Sequence, residues 1–328
     1  MDRQGVCRRN VTSSNQNLKL GLIGAGPWGR NFIHTIKEMD GVGLTRLASA
    51  NPESASLVDG DCEITTDWLE VAIAADLDGV IVATPPFTHA EIATRAVLAG
   101  NPVLVEKPLT LDPGEARELL NITEAEGGFV LVDHIHLFSS AWEVLKREAE
   151  ALGPVCAIVS EAGRWGPFRE DAGVLWDWGP HDVAMCCDLL GRPPETVQAV
   201  VSESRQTPEG LGETLKLEAD FGRGVSAGIV LSNLLDGHRR YFRAYFNDCA
   251  LVYDDTSPEK LVRHPLLEGS KDKLGPGEPL PVNDEMQMNR LIRTFGDAIR
   301  EGSRDSASLR LGVSVVEILT RAQQTLDN

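Results

Sequence analysis

The sequence predicts an α/β protein in two parts. A doubly wound parallel sheet occupies residues 18–137, and an α/β unit with an open, largely antiparallel sheet occupies residues 138–328. Three observations carry this. From Leu18 to His136, short apolar runs alternate with stretches of helical spacing, the pattern of a parallel sheet covered on both faces. The first apolar run closes in GAGPWG, a G-x-G-x-x-G turn between a strand and a helix. Beyond about residue 195, several segments alternate polar and apolar residues, which marks strands with one buried face.

The elements follow in order. LKLGLIG reads as a buried strand, and NFIHTIKEM has helical spacing through Phe32, Ile33, Ile36 and Met39. VGLTRLASA is a second strand, DWLEVAIA a short helix and DGVIVATPP a third strand. THAEIATRAVLAG is a helix stopped by Gly100, and NPVLVEKP a fourth strand. DPGEARELLNITEAEGG places Asp112 and Pro113 at a cap and first turn. FVLVDHIH is the fifth strand. In the second part, SSAWEVLKREAEALG and LWDWGPHDVAMCCDLLG contain helices, the latter ending at Gly191. PVCAIVSEAG, TVQAVVSES, TLKLEADF, GVSAGIVLSN, RRYFRAYFN and CALVYDD are strands. GSKDKLGPGEPLPVNDE is a loop, and MQMNRLIRTFGDAIREG and LRLGVSVVEILTRAQQTL are closing helices. No repeat of fixed period is present.

Composition narrows the function. The chain has 328 residues, 42% hydrophobic and 24% charged, with a formal net charge of −18. Two globular units suit that length. So acidic a surface argues against nucleic acid or an anionic membrane as partners. Residues 1–17 are polar, lack the apolar core of a signal peptide and read as a disordered tail. Six cysteines, at 7, 62, 156, 186, 187 and 249, form no C-x-x-C and no zinc spacing with histidine. They are expected to be packed thiols in a reducing, cytoplasmic setting, and no metal site is expected.

The motifs that carry chemistry lie at strand ends. Gly24, Gly26 and Gly29, with Pro27 and Trp28 between them, suit a backbone that approaches a pyrophosphate at a helix N-terminus; the alternative is a structural turn. An acid is expected about 20 residues on to grip the ribose of NAD. LASANPES offers Ser49 and Asn51 instead. Without a carboxylate to repel a 2′-phosphate, NADP is favoured over NAD. No arginine lies in that turn; Arg30 and Arg46 are the nearest. Thr84 and Pro85 end the third strand, and His89 follows as a cofactor contact or as a core or capping residue. The fourth strand breaks into Glu106, Lys107 and Pro108. A lysine there can hydrogen-bond a substrate oxygen and favour its negative charge; the alternative is an exposed ion pair. Asp177 precedes His181 by four residues, on one helical face. A carboxylate beside an imidazole suits proton transfer near neutral pH; the alternative is a capped helix start with a half-buried histidine.

GLIGAGPWGRN, VATPPFTHAEIATRAVLAGNPVLVEKPLT, VDHIHLF and LWDWGPHDVAM stand in that order. Together they resemble the Gfo/Idh/MocA family of glucose-fructose and inositol oxidoreductases, over nearly all of Leu18 to Leu326. The resemblance implies a Rossmann domain, NAD(P) with its nicotinamide between the units, and an open second sheet that forms a dimer face. It implies hydride transfer to or from a sugar, cyclitol or nucleotide sugar. Lys107, Asp177 and His181 match its active-site residues, with Asp177 expected to orient His181. His134, Arg164, Trp165 and Arg169 are candidate substrate contacts, the arginines for a carboxylate or phosphate. Glu106 is expected beside the nicotinamide ribose or as an offset to Lys107. A homodimer or homotetramer through the second sheet is expected, because an open apolar face needs cover. Two alternatives are a relative that cleaves glycosides by transient oxidation and a sugar- or dinucleotide-sensing regulator without catalysis.

Overall fold

The computed structural model describes residues 17–169, 172–270 and 272–327. The expected disordered tail, apart from Asn17, lies outside the described residues, as does Cys7.

The first unit alternates strands and helices: β1 (Leu18–Ile23), α1 (Pro27–Glu38), β2 (Val42–Ala48), β3 (Glu63–Thr65), α2 (Trp68–Ala72), β4 (Gly79–Val82), α3 (His89–Leu98), β5 (Val103–Glu106), α4 (Pro113–Glu126) and β6 (Val130–Asp133). Its sheet has the order β3-β2-β1-β4-β5-β6, and every pairing is parallel. The four residues of each of β4, β5 and β6 are buried, as apolar strands between two helical layers must be. Asp112 caps α4 by accepting from the N–H groups of Gly114 and Glu115, and left-handed Gly127 ends it, as read from the sequence. The strand order reverses between β1 and β4. That switch point opens a crevice at the carboxyl ends of the strands.

The second unit continues with α5 (Ser140–Leu152), β7 (Ala157–Trp165), α6 (Val174–Leu190), β8 (Thr196–Thr207), β9 (Gly210–Asp220), β10 (Ser226–Ser232), β11 (Leu234–Tyr245), β12 (Cys249–Asp254), β13 (Leu261–Pro265) and β14 (Glu278–Pro279). Its sheet runs β14-β13-β12-β11-β7-β10-β9-β8. Only β7 and β10 pair in parallel; the other pairings are antiparallel. Helices α5 and α6 cover one face, around Trp142, Leu145, Ala184 and Met185. The other face carries half-exposed Val159 and Val200, and Arg243 lies over the rings of Tyr241 and Tyr245. No helix among the described residues is long and apolar enough to cross a membrane.

Two differences from the sequence reading stand out. Strands β3, β13 and β14 were not expected. All three are short and lie at or near sheet edges, where burial leaves little apolar pattern to read. The expected division at residue 137 also fails to describe the packing. Helices α7 (Gln287–Glu301) and α8 (Ala307–Leu326) close the chain. Met288, Leu291, Ile292 and Phe295 of α7 join the core of the first sheet, with Leu20, Phe32 and Leu104. Leu309, Val313 and Val316 of α8 pack with Leu109 and Val132 of the first unit. Farther along α8, Ile318, Leu319 and Ala322 enter the second core. The first sheet is therefore completed by the chain's last helices.

Phe295 is fully buried and stacks on Phe129 with ring centroids 6.3 Å apart. Phe295→Ala is expected to lower the unfolding free energy by about 3–5 kcal/mol, as for other buried aromatic truncations. Urea denaturation checks this, and a loss below about 1 kcal/mol would show that α7 is dispensable to the first core.

Candidate active site

The crevice begins at the glycine turn after β1. Gly24 has φ of 100°, and a Cβ there would stand 2.4 Å from the Ala83 carbonyl oxygen. A Cβ at Gly29 would stand 2.1 Å from the Gly24 carbonyl oxygen. Neither position tolerates a side chain. Gly26 instead faces open space, with nothing within 4 Å of its Cβ direction. Pro27 occupies the first turn of α1, no side chain caps this end, and no acid lies in the first turn. The free amides and positive dipole of α1 therefore face open space. This cradle fits a dinucleotide pyrophosphate. Trp28 is half-buried and packs against the core of the first sheet.

At the end of β2, Ser49 Oγ lies 2.8 Å from Ser54 Oγ, and Asn51 accepts from Glu53 N at 3.0 Å. These are neutral hydrogen-bonding groups. Arg46 is turned away to Glu63 at 3.3 Å and Asp76 at 3.0 Å. Arg30 is exposed beside the glycine turn, its Nε 3.4 Å from the Ala25 carbonyl.

At the end of β4, Thr84 and Thr88 hydroxyls are 2.6 Å apart, and Pro85 is exposed. His89 does not fit the expected cofactor contact. It is fully buried, with Nδ1 2.9 Å from the Pro108 carbonyl and Nε2 2.8 Å from the Thr84 carbonyl. It ties the loop after β4 to the loop after β5. Burial, with help from nearby Lys107, holds its pKa below the ordinary value although both carbonyls favour the charged ring.

Glu106 and Asp133 face each other in the register of β5 and β6 and are buried. Glu106 accepts from the Lys107 amide at 3.0 Å. Its other oxygen and both Asp133 oxygens find no hydrogen-bond partner outside the pair. Burial and the neighbouring Asp133 carboxyl push Glu106 well above the carboxylate range. Burial raises Asp133 to about 6. Burial thus favours the protonated form at this pair. His134 is buried beside it with both ring nitrogens unpaired; burial and Lys107 lower it to about 3.

Helix α6 brings the second unit's groups to this edge. Lys107 Nζ donates to the Asp177 carbonyl at 2.6 Å and lies 3.5 Å from its carboxylate. Arg169 Nη1 lies 3.5 Å from the same carboxylate oxygen. The expectation that Asp177 orients His181 is corrected here. The Asp177 carboxylate engages Lys107 and Arg169, and Nδ1 of His181 is buried without a partner. The four-residue spacing puts both side chains on one face, but the nearer cations capture the carboxylate. His181 instead meets His136, ring centroids 5.0 Å apart and planes at 85°. Burial, then Lys107 and His136, hold His181 well below its ordinary pKa, so it is neutral and able to accept a proton.

Arg169 and Asp177 line a cavity of about 60 Å³ with Trp178, Glu213 and Asn233. Arg164 and Trp165 lie at the exposed end of β7, where Trp165 meets Phe168 edge-on at 5.5 Å. The structure thus gathers Lys107, Asp177, His181 and Arg169, and leaves Arg164 and Trp165 outside that cluster. Three residues escaped the sequence reading. His136 had a signal, as the second histidine of DHIH. Asp182 and Arg240 form a fully buried ion pair at 2.5 Å between α6 and β11. Nothing in sequence spacing joins residues so far apart.

Two family models match this chain. One, described as an oxidoreductase family with an NAD-binding Rossmann fold, covers residues 18–134. The other, the GFO/IDH/MocA C-terminal domain, covers residues 146–252. A solved structure from Magnetospirillum magnetotacticum MS-1, an oxidoreductase by assignment only, is 41% identical with a TM-score of 0.88. It covers 94% of this chain and all of that one.

The chain belongs to the GFO/IDH/MocA oxidoreductase family.

Among its relatives, inositol 2-dehydrogenase of Rhizobium meliloti (strain 1021) is 28% identical over 56% of this chain and 58% of its own. UDP-N-acetylglucosamine 3-dehydrogenase of Acidithiobacillus ferrooxidans is 30% identical over 56% of this chain and 58% of its own. The chain thus spans a little over half the length of these curated relatives. GenD2 from gentamicin A biosynthesis, solved in complex with NAD, is 22% identical with a TM-score of 0.78, covering 99% of this chain and 98% of its own, and shares the fold.

The buried titratable groups give stability a definite pH dependence. His134, His136 and His181 are held neutral in the fold. Unfolded, they charge near pH 6.5, so their stabilisation is present above that pH and lost as pH falls below it. Glu106 and Asp133 act oppositely: their stabilisation is present at low pH and lost as pH rises through the raised values. With His89, likewise held below its ordinary value, four histidines oppose two carboxyls, so unfolding free energy is expected to fall from pH 7 to pH 5. Denaturant titrations should show Asp133→Asn steepening that fall and His134→Gln flattening it. Identical slopes in all three proteins would contradict the assignment.

Proposed function

We propose that this chain is an NAD(P)-dependent oxidoreductase acting on a secondary alcohol or ketone of a sugar, cyclitol or nucleotide sugar. The observation that carries the reading is the contact of Lys107 with Asp177 of α6, the helix that also carries His181, at the carboxyl edge of a sheet whose glycine cradle fits a dinucleotide. When bound, the dinucleotide supplies or accepts hydride.

The side chains have distinct tasks. Neutral His181 takes the hydroxyl proton during oxidation and returns it during reduction. Lys107 donates to the same oxygen and stabilises its developing negative charge. An ammonium has three donors. Asp177 claims one with its carbonyl and attracts another with its carboxylate, which leaves a third for substrate. Asp177 therefore acts by aiming Lys107. We read Thr84, Pro85 and Glu106 as bordering the nicotinamide end, and Arg164, Trp165 and Arg169 as the rim nearest the substrate. The names of the inositol and UDP-N-acetylglucosamine dehydrogenases support the substrate class. The half-exposed face of the second sheet supports a homodimer or homotetramer, and the reduced thiols of the described cysteines agree with a cytoplasmic setting.

NADP remains the favoured dinucleotide, on the single ground that β2 is followed by Ser49, Ala50 and Asn51. With Arg46 committed elsewhere, hydroxyls and amides meet a 2′-phosphate, so the preference is expected to be modest. Equilibrium titration by fluorescence should give an NADP Kd below that for NAD by about tenfold or less. Tighter binding of NAD would reverse the assignment.

Lys107→Ala and His181→Ala are each expected to reduce turnover by roughly 10²–10⁴-fold, the usual worth of positioned acid–base help. Dinucleotide Kd should stay within a few-fold. A sugar and nucleotide-sugar panel read at the nicotinamide absorbance provides the assay. Near-native turnover in both variants would remove these residues from the chemistry.

A further inference from the structure

Oxidation of an alcohol by hydride transfer leaves one proton behind in each turnover. His181 is only 6% exposed, so that proton needs a route to water. One buried imidazole beside it has no part in the chemistry above. His136 is 8% exposed, and its ring centroid lies 5.0 Å from that of His181. The rings meet edge-on, with planes at 85°, and Nδ1 of His181 has no partner in this arrangement; a transfer between them follows a turn of one imidazole that brings two nitrogens within hydrogen-bond reach. On its far side, Nδ1 of His136 lies 3.1 Å from the Tyr253 hydroxyl and 4.0 Å from Asp255 Oδ2. Asp255 is held in turn by Gln287 at 3.2 Å and by Lys260 at 3.3 Å, whose side chain is 39% exposed. Polar side chains thus run from His181 to the surface just past β12.

We propose that His136 relays protons between His181 and Asp255, a role that rests on the oxidoreductase reading. In oxidation the substrate O–H bond breaks and its proton joins a free ring nitrogen of His181. The other nitrogen of His181 passes a proton to Nε2 of His136. Nδ1 of His136 gives its own proton to the Tyr253 hydroxyl at 3.1 Å, which releases its own proton towards Asp255, where water removes it. Each imidazole ends with the protons it began with, and the net change is one proton moved from alcohol to solvent. Reduction runs every transfer backwards. The relay needs neutral imidazoles, with one nitrogen protonated and one free. Burial is the first cause of neutrality at His136, and the basic groups facing it add to it: Arg240 on β11, His238 on the same strand when protonated, Lys107 after β5 and Lys260 before β13. His181 on α6 faces its ring, and Tyr253 and Asp255 stand on its outward side.

The test begins without substrate. Selective ¹⁵N labelling gives seven histidines to resolve, and solvent exchange of the His181 ring proton is read by NMR. His136→Gln is expected to slow that exchange at least tenfold, and Asp255→Asn by a smaller factor. In turnover, His136→Gln should lower kcat at least tenfold, with KM and dinucleotide Kd within twofold. Added imidazole should restore kcat in His136→Gly and leave the wild type unchanged. Unchanged exchange in folded variants, or unchanged kcat, overturns the relay, as does a lowered kcat that imidazole cannot restore. A merely structural histidine would give the last result. Should the His136 variants fail to fold, Asp255→Asn carries the exchange test. If the wild type reduces no dinucleotide with any substrate on the panel, the oxidoreductase reading fails, and proton exchange alone decides the relay.

Discussion

The contact between Lys107 and Asp177 is the constraint on which the rest of the site depends. Strand β5 ends in an ammonium group whose side chain is only 10% exposed. A buried cation without partners would lose its proton or pull the strand end towards water. Both partners come from one residue of the other unit, a carbonyl and a carboxylate at the start of α6. That carboxylate lies in the first turn of a helix whose N-terminus has no side-chain cap, where negative charge is favoured. The pair therefore ties the two units together at the carboxyl edge of the first sheet. It also determines which residues face each other there. With α6 held at its start by Lys107, His181 is carried one turn deeper, against His136.

A second ion pair settles the rotation of α6. Asp182, next to His181, points the other way, into Arg240 of β11, and also accepts from Ser160 of β7. Both members of the Asp182–Arg240 pair are almost wholly buried. Breaking such a pair by removing one partner leaves an uncompensated charge and typically costs about 3–5 kcal/mol. Two adjacent residues of one helix thus serve different ends. Asp182 anchors the helix to its own sheet, and His181 is left free towards the cleft. Burial favours the uncharged form of the remaining titratable groups of the crevice: it holds His134, His136 and His181 below the ordinary imidazole value and Glu106 and Asp133 above the ordinary carboxylate value. The charges of the site are consequently concentrated in Lys107, Asp177 and Arg169. In such surroundings a charge developing on a substrate oxygen would interact strongly with Lys107.

The closing helices explain how two units present one rigid edge. Helix α7 completes the core under β1 and β4, and α8 runs from the first core into the second. A division of the chain into consecutive halves misses this return. The carboxyl edge of the first sheet and the start of α6 are thereby tied through α8 as well as through the Lys107 contact.

The sequence by itself determined the alternating pattern of the first sheet, the glycine turn, the capped start of α4 and the lysine at a core strand's end. These signals are local. Apolar periodicity, backbone freedom at Gly24 and the side-chain reach of Asp112 act within a few residues, so they are written in adjacent letters. It also placed Asp177 and His181 on one face of a helix. Only the tertiary structure decided what that face meets. Asp177 was read as the partner of His181, but Lys107, 70 residues earlier in the chain, reaches it first, and a carboxylate settles on the nearest cation. His89 resembled a ligand contact until two carbonyls from separate loops were seen to enclose it. His136 and the Asp182–Arg240 pair gained their significance from contacts between distant segments. Side-chain chemistry is specified residue by residue, but burial and partnership, which set protonation and direction, exist only once the chain has closed on itself.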